Sequence, residues 1–126
     1  MPDTSFTVYN RYALLAPPEA CTEAFAALVA RVRSEGHPGV LRYRFFLNPH
    51  NATALGLIDY ASPEAWIGHH ELAMPWPEMN ALHGLARLEE ITFLGEAPDE
   101  VRAWLEGSTL AARLNTGNVA IAGFHR

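Results

Sequence analysis

The sequence predicts an α+β fold of the ferredoxin-like, split βαβ type, extended at its C-terminus by a helix and a strand. Three observations carry this prediction. Strand-like and helical patterns alternate in the order β-α-β-β-α-β over residues 6–95. Proline, serine and glycine punctuate the chain where helices should start and stop. No repeat, linker or low-complexity run divides it, so residues 1–126 read as one domain, with a core over about 6–95 and an elaboration over about 96–126.

The elements follow in order. "FTVYNRYALL", residues 6–15, is aromatic and β-branched and reads as a strand. "APPEA" then opens a helix, whose apolar positions Phe25, Leu28, Val29 and Val32 fall on one stripe. It ends at "SEGHPG", where Gly36 suits a left-handed cap and Pro38 forbids continuation. "VLRYRFFL" and "TALGLIDYA" are two strands joined through the turn "NPHNA". Ser62 and Pro63 mark the start of a short helix that carries His69 and His70. Pro75 and Pro77 interrupt it, "EMNALHGLA" resumes a helical pattern, and "LEEITFLG" reads as a strand with the charges of a sheet edge. "PDEVRAWLEG" is a further helix closed by Gly107, and "NVAIAGFHR" a fifth strand.

Composition narrows the function classes. Of 126 residues, 49% are hydrophobic and 18% charged, as in an ordinary globular domain. A net charge of −5 leaves no basic stripe for nucleic acid or an anionic membrane. The N-terminal "MPDTSFTVYN" lacks the basic start and apolar core of a signal peptide, and no apolar run is long enough to span a bilayer. A single cysteine, Cys21, excludes an internal disulfide and is expected to be buried. These features together predict a cytoplasmic protein.

The alternation of the first strand raises the question of partners and of a site. Phe6, Val8, Asn10, Tyr12 and Leu14 share one face, while Thr7, Tyr9, Arg11, Ala13 and Leu15 share the other. Neither face is purely polar, which predicts a second layer on each and hence a homodimer packed sheet to sheet. Asn10 lies amid the apolar face and needs a hydrogen-bond partner there, either structural or a ligand in a cavity. On the second strand Arg42 and Arg44 alternate with Leu41, Tyr43 and Phe45, so one set faces the site and the other a dimer seam or solvent.

The histidines do not read as metal ligands. The zinc-protease pattern fails because "HHELAM" places Met74 where a second ligand belongs, and the remaining histidines lack ligand spacing. No glycine-rich phosphate loop and no nucleophile elbow are present. Trp66 lies three residues before His69 and four before His70, so one imidazole is expected to turn inward with the indole and the other outward with Glu71. On spacing alone a core indole with a hydrogen-bonded imidazole is favoured over a catalytic pair, and it is the lone amide of Asn10 that shifts the balance toward a site.

The order of elements, the "EGHPGVLRYRFF" junction and "YASPEAWIGHHELAMPW" resemble the antibiotic biosynthesis monooxygenase family of dimeric α/β barrels, over roughly residues 6–95. The matching positions are Tyr60, Glu64, Ala65, Trp66 and His69; Met74-Pro75-Trp76 departs from the family's later histidine and phenylalanine. The resemblance implies a homodimeric monooxygenase that needs no flavin or metal and oxidises a small phenolic, hydroquinone or polyketide-like substrate with O2 to a quinone. It implies His69 as base, by its unperturbed pKa near neutrality, and Asn10 as donor to substrate oxygen. Trp66, Tyr43, Tyr60 and Trp76 would then wall a substrate pocket. Haem-degrading relatives of the same fold suggest an alternative, in which Asn10 serves a haem and His83 binds its iron. A non-enzymatic, ligand-sensing dimer with His69 satisfied in the core is a third reading.

Overall fold

In a computed structural model of the protein, residues 5–95 and 98–126 are described. The first four residues, part of the N-terminal stretch read above as leaderless, and the two that begin the C-terminal elaboration lie outside this set. The core elements are β1 (Phe6–Leu14), α1 (Pro18–Glu35), β2 (Val40–Asn48), β3 (Thr53–Tyr60), α2 (Pro63–Ala73), α3 (Pro77–Leu85) and β4 (Ala86–Leu94). The elaboration adds α4 (Asp99–Glu106) and β5 (Arg113–Asn118). No helix among the described residues is long and apolar enough to cross a membrane.

The sheet order is β2-β3-β1-β4-β5. All pairs are antiparallel except β4 with β5, which is parallel. The four core strands pair antiparallel and β5 extends the sheet beside β4, making it five-stranded and mixed, so β4 is not an edge. Its charges are partly answered by β5: Arg113 pairs with Glu90, and Asn118 donates to the Phe93 carbonyl at 3.0 Å. The fifth strand also lies earlier than expected. Residues 119–126 are irregular, and Val119, Ile121 and Phe124 are exposed. An edge strand needs backbone pairing rather than buried side chains, so the polar "RLNTGN" forms it although "NVAIAGFHR" has the better apolar alternation.

The helices cover one face of the sheet and bury two apolar clusters. The first joins Val8, Ile58 and Phe93 to Trp66 of α2 and to Val101 and Leu105 of α4. The second joins Tyr12 and Ala54 to Phe25, Leu28 and Val32 of α1 and to Met79 and Leu82 of α3. Cys21 is fully buried on α1. On β1, Val8 belongs to one cluster and Tyr12 to the other, so Asn10 stands at the seam between them.

Two irregularities shape that seam. A bulge in β2 between Val40 and Arg42 turns Leu41 out to solvent, against its expected place beside Tyr43, while Tyr43 and Phe45 face the helices. A register shift opposite Arg11 and Tyr12 pairs Glu90 with the first and Leu88 with the second, so Leu88 and Ile91, three apart, both point inward.

Gly36 ends α1 in extended backbone, at φ −79° and ψ 178°, not in the left-handed conformation expected. Glycine is required there for close approach: a Cβ would come within 2.4 Å of the Val32 carbonyl oxygen.

Candidate active site

α2 positions the imidazoles because its start is well fixed. Ser62 is extended and its Oγ accepts from the Ala65 N–H at 3.1 Å, with Pro63 following it in the first turn. Ser62→Ala should therefore lower stability by about 1 kcal/mol in urea unfolding.

From this start both imidazoles turn toward the molecule, which corrects the expectation that one points out with Glu71. His70, not His69, shares the indole's side: its ring stacks on Trp66 with centroids 3.9 Å apart. Nδ1–H of His70 donates to the Trp66 carbonyl at 2.7 Å, which leaves the Nε2 lone pair free. His69, only 2% exposed, points under the sheet, with the rings of Tyr43 and Tyr60 at 5.3 and 6.0 Å.

At the seam lies a cavity of about 30 Å³. The sheet contributes Asn10, Tyr12, Tyr43, Ile58, Tyr60 and Leu88, and the helices His69, His70, Met79 and His83. Leu110, from the connection between α4 and β5, closes it. Five of the residues singled out in the sequence therefore meet: Asn10, Tyr43, Tyr60, His69 and His83. Two do not line it. Trp66 stands behind His70 in the core, and Trp76 packs in the second cluster with the Arg31 guanidinium 4.4 Å above its ring. His70 lines it as well as His69, where only one of the two was expected to, and Tyr12, Ile58, Met74, Met79, Leu88 and Leu110 were not anticipated as lining residues. Tyr12 could have been found, two residues after Asn10 on the same strand face, as could Met79, one helical turn before His83; Leu110 gave no signal.

Two polar atoms in the cavity are buried without a hydrogen bond, Asn10 Oδ1 and His69 Nδ1. Each such orphan costs about 1–3 kcal/mol, which a ligand with complementary groups would recover. The Asn10 amide also favours the ionised form of the Tyr12 hydroxyl, as its N–H end directed at that oxygen would. Its unpartnered atom is thus an acceptor, where the sequence implied a donor. Because the Tyr12 hydroxyl can donate or accept, a half-turn of the amide exchanges these roles. Gly56, paired with both Asn10 and Phe45, makes room at this point: a Cβ there would lie 2.7 Å from the Phe45 ring.

Burial sets the protonation states. It pushes the Tyr12 hydroxyl up to about 12 and raises those of Tyr43 and Tyr60 further, so all three remain neutral phenols. Burial lowers His69 to about 3, aided by the neighbouring His70 and His37, and His70 to about 4. The near-neutral value expected for His69 is not kept, because imidazolium in this setting has neither water nor a counter-ion. Between pH 6.5 and those lowered values the unfolded chain binds more protons than the folded one, so stability falls as pH falls through this window. For His69 the loss between pH 7 and 5 should be on the order of 2 kcal/mol. Urea unfolding at both pH values tests this, and His69→Gln should flatten the dependence.

Among the described residues no three His, Cys, Asp or Glu side chains form a group that could hold a metal ion. Haem does not fit either. Asn10 and His83 do share the cavity, as that reading requires, but its volume of about 30 Å³ is far smaller than a porphyrin, which, unlike a single ring, could not be taken in by displacing one side chain.

No family model and no curated protein sequence matches the chain. Solved structures do. SnoaB from Streptomyces nogalater, described as a cofactor-independent oxygenase, superposes in a mutant form with a TM-score of 0.62 at 17% identity, covering 75% of this chain and 95% of its own. MupZ from Pseudomonas fluorescens superposes with a TM-score of 0.65 at 16% identity, covering 97% and 94%. A Caulobacter crescentus protein described as a candidate antibiotic biosynthesis monooxygenase gives 0.53 at 20% identity, covering 65% and 74%. The MupZ match leaves at most a few residues of the C-terminal elaboration without a counterpart. The chain shares with these proteins the α+β, ferredoxin-like fold that its resemblance to the antibiotic biosynthesis monooxygenase family implies.

Proposed function

We propose that the protein is a cofactor-independent monooxygenase that oxidises a small phenolic, hydroquinone or polyketide-like substrate with O2 to a quinone. The observation that carries this reading is the pairing of two buried, unpartnered polar atoms, Asn10 Oδ1 and His69 Nδ1, in a cavity walled by aromatic rings. The fold shared with SnoaB, an oxygenase described as cofactor-independent, agrees with it.

The chemistry follows from the reluctance of triplet O2 to react with closed-shell molecules. Neutral His69 accepts the proton of a phenol or enol, and the anion passes one electron to O2. The resulting radical and superoxide combine at a ring carbon, and the peroxide takes the proton back from His69. Loss of the C–H proton with cleavage of the O–O bond then gives the carbonyl and water, so that phenol and O2 yield quinone and H2O. His69 is a weak base in the empty site, but proton transfer creates imidazolium and phenolate together. Their attraction at low dielectric offsets the burial that depresses each alone. Asn10 and the neutral tyrosines furnish fixed dipoles around the developing charge.

Oxygen uptake on a panel of hydroquinones and anthrone, with protein shown free of metal and flavin, tests the reading. Steady uptake with quinone formation supports it; silence across the panel counts against it.

The sheet face away from the helices supports a homodimer. Tyr9 and Leu57 are paired at its centre, Phe46 is 53% exposed, and the buried Arg44 Nε has no partner among the described residues. A second copy packed on this face would cover the rings and present acceptors to Arg44. In sedimentation the wild type should run as a dimer and Leu57→Arg as a folded monomer. A monomeric wild type at tens of micromolar would contradict this.

A further inference from the structure

The imidazole cavity and its largest neighbour across Leu110 belong together. The cavity's ~30 Å³ admits about two water-sized molecules, enough for O2 but not for an aromatic ring. Beside it a cleft of about 270 Å³ opens between α4, β4 and β5. That volume is near the lower bound of small-molecule sites. Leu110 lines both spaces and is the wall between them. Seven of the cleft's eight lining residues lie after Pro98, so the C-terminal elaboration builds it. Its inner wall is apolar, through Ile91, Leu105, Ala112 and Leu114, while Arg102 and Glu106 supply polar groups.

We propose that this cleft is the binding site for the body of a polycyclic aromatic substrate, and that Leu110 is the specificity-determining gate through which its reacting ring reaches His69 and Asn10. This deepens the monooxygenase reading and rests on it for the chemistry, but the binding claim stands on the two cavities alone.

The choice of Leu110 follows from how the walls are held. Tyr43 also borders both the cavity and other surface grooves, but it sits in a strand in register with β3, its ring wedged between His69 and Phe45 at 5.3 and 4.9 Å. Moving it would disturb the sheet. Leu110 lies in an irregular connection between the end of α4 and the start of β5, its N–H bonded to Ser108 Oγ at 3.3 Å. Its half-buried aliphatic side chain packs against the first core cluster by apolar contact alone, so of the shared walls it is the one whose displacement disturbs least.

The test separates binding from chemistry. Binding is read by quenching of tryptophan fluorescence with anthraquinone-2-sulfonate, a non-oxidisable ring system; turnover is read as oxygen uptake on anthrone and on monocyclic hydroquinone. Leu110→Ala should tighten the probe and raise kcat/KM for anthrone about tenfold relative to hydroquinone, the scale of one apolar side chain's area. Leu110→Trp and Ala112→Trp, which fill the gate and the cleft from different positions, should weaken the probe at least about tenfold. Circular dichroism confirms that each variant folds. Probe binding that follows these variants without any oxygen uptake would uphold the cleft and overturn the monooxygenase reading. Uptake unaffected by all three, or no probe binding by the wild type, would overturn the cleft.

Discussion

His69→Ala should retain the fold and lose oxygen uptake by about 10²–10⁴-fold in kcat, the usual contribution of a positioned general base. The side chain is 2% exposed and its Nδ1 has no partner, so removing it breaks no hydrogen bond at that nitrogen. Stability should change modestly: the cavity left behind is destabilising, while removal of a buried polar orphan is stabilising. The contrast with His70 is diagnostic. His70 is tied to the Trp66 carbonyl and stacked on its indole, so His70→Ala should cost stability first and activity second. Equal loss of activity in both variants, or none in either, would remove His69 from the role of base. Thermal unfolding beside initial rates of oxygen uptake reads both quantities.

Trp66→Ala should be the most destabilising single change in the site region, by about 3–5 kcal/mol in urea unfolding. The indole is 1% exposed and touches three other rings: His70 by stacking, Trp104 edge-on at 5.3 Å and Phe93 at 6.3 Å. It is the piece that fastens α2 and α4 to the sheet. Its loss should therefore loosen both the imidazole pair and the cleft behind Leu110. Trp66→Phe keeps much of the area and should recover most of the stability, whereas a residue that only contacts substrate would show no such rescue.

What the sequence disclosed depended on whether local chemistry or long-range pairing decided the outcome. The capping of α2 by Ser62 and Pro63, the break at Pro75 and Pro77, and the β2–β3 hairpin were legible because each is set by a few neighbouring residues. Asn10 was legible as a residue in need of a partner because a lone amide interrupts an apolar face, and the structure places it in the cavity where the two core clusters fail to merge. The pairing of Trp66 with His70 was not, since three- and four-residue spacings share a helix face almost equally and only the rings behind them break the tie. The pKa of His69 was hidden for the same reason: burial, not residue type, lowers it. Beyond residue 95 the pattern misled. Apolar alternation favours "NVAIAGFHR" over "RLNTGN", yet polar cross-strand contacts such as Arg113 with Glu90 and Asn115 with Thr92 hold the true strand. The two bulges, which turn Leu41 out and Leu88 in, come from sheet register and leave no trace in composition.

The most direct test of the central claim is the fate of labelled oxygen. Metal-free wild-type protein is supplied with ¹⁸O2 and anthrone, and product and water are read by mass spectrometry. The account predicts a single labelled atom in the quinone, the other in water, with one O2 consumed per product and the signal lost in His69→Ala. Unlabelled quinone, or labelling that persists in His69→Ala, would contradict it.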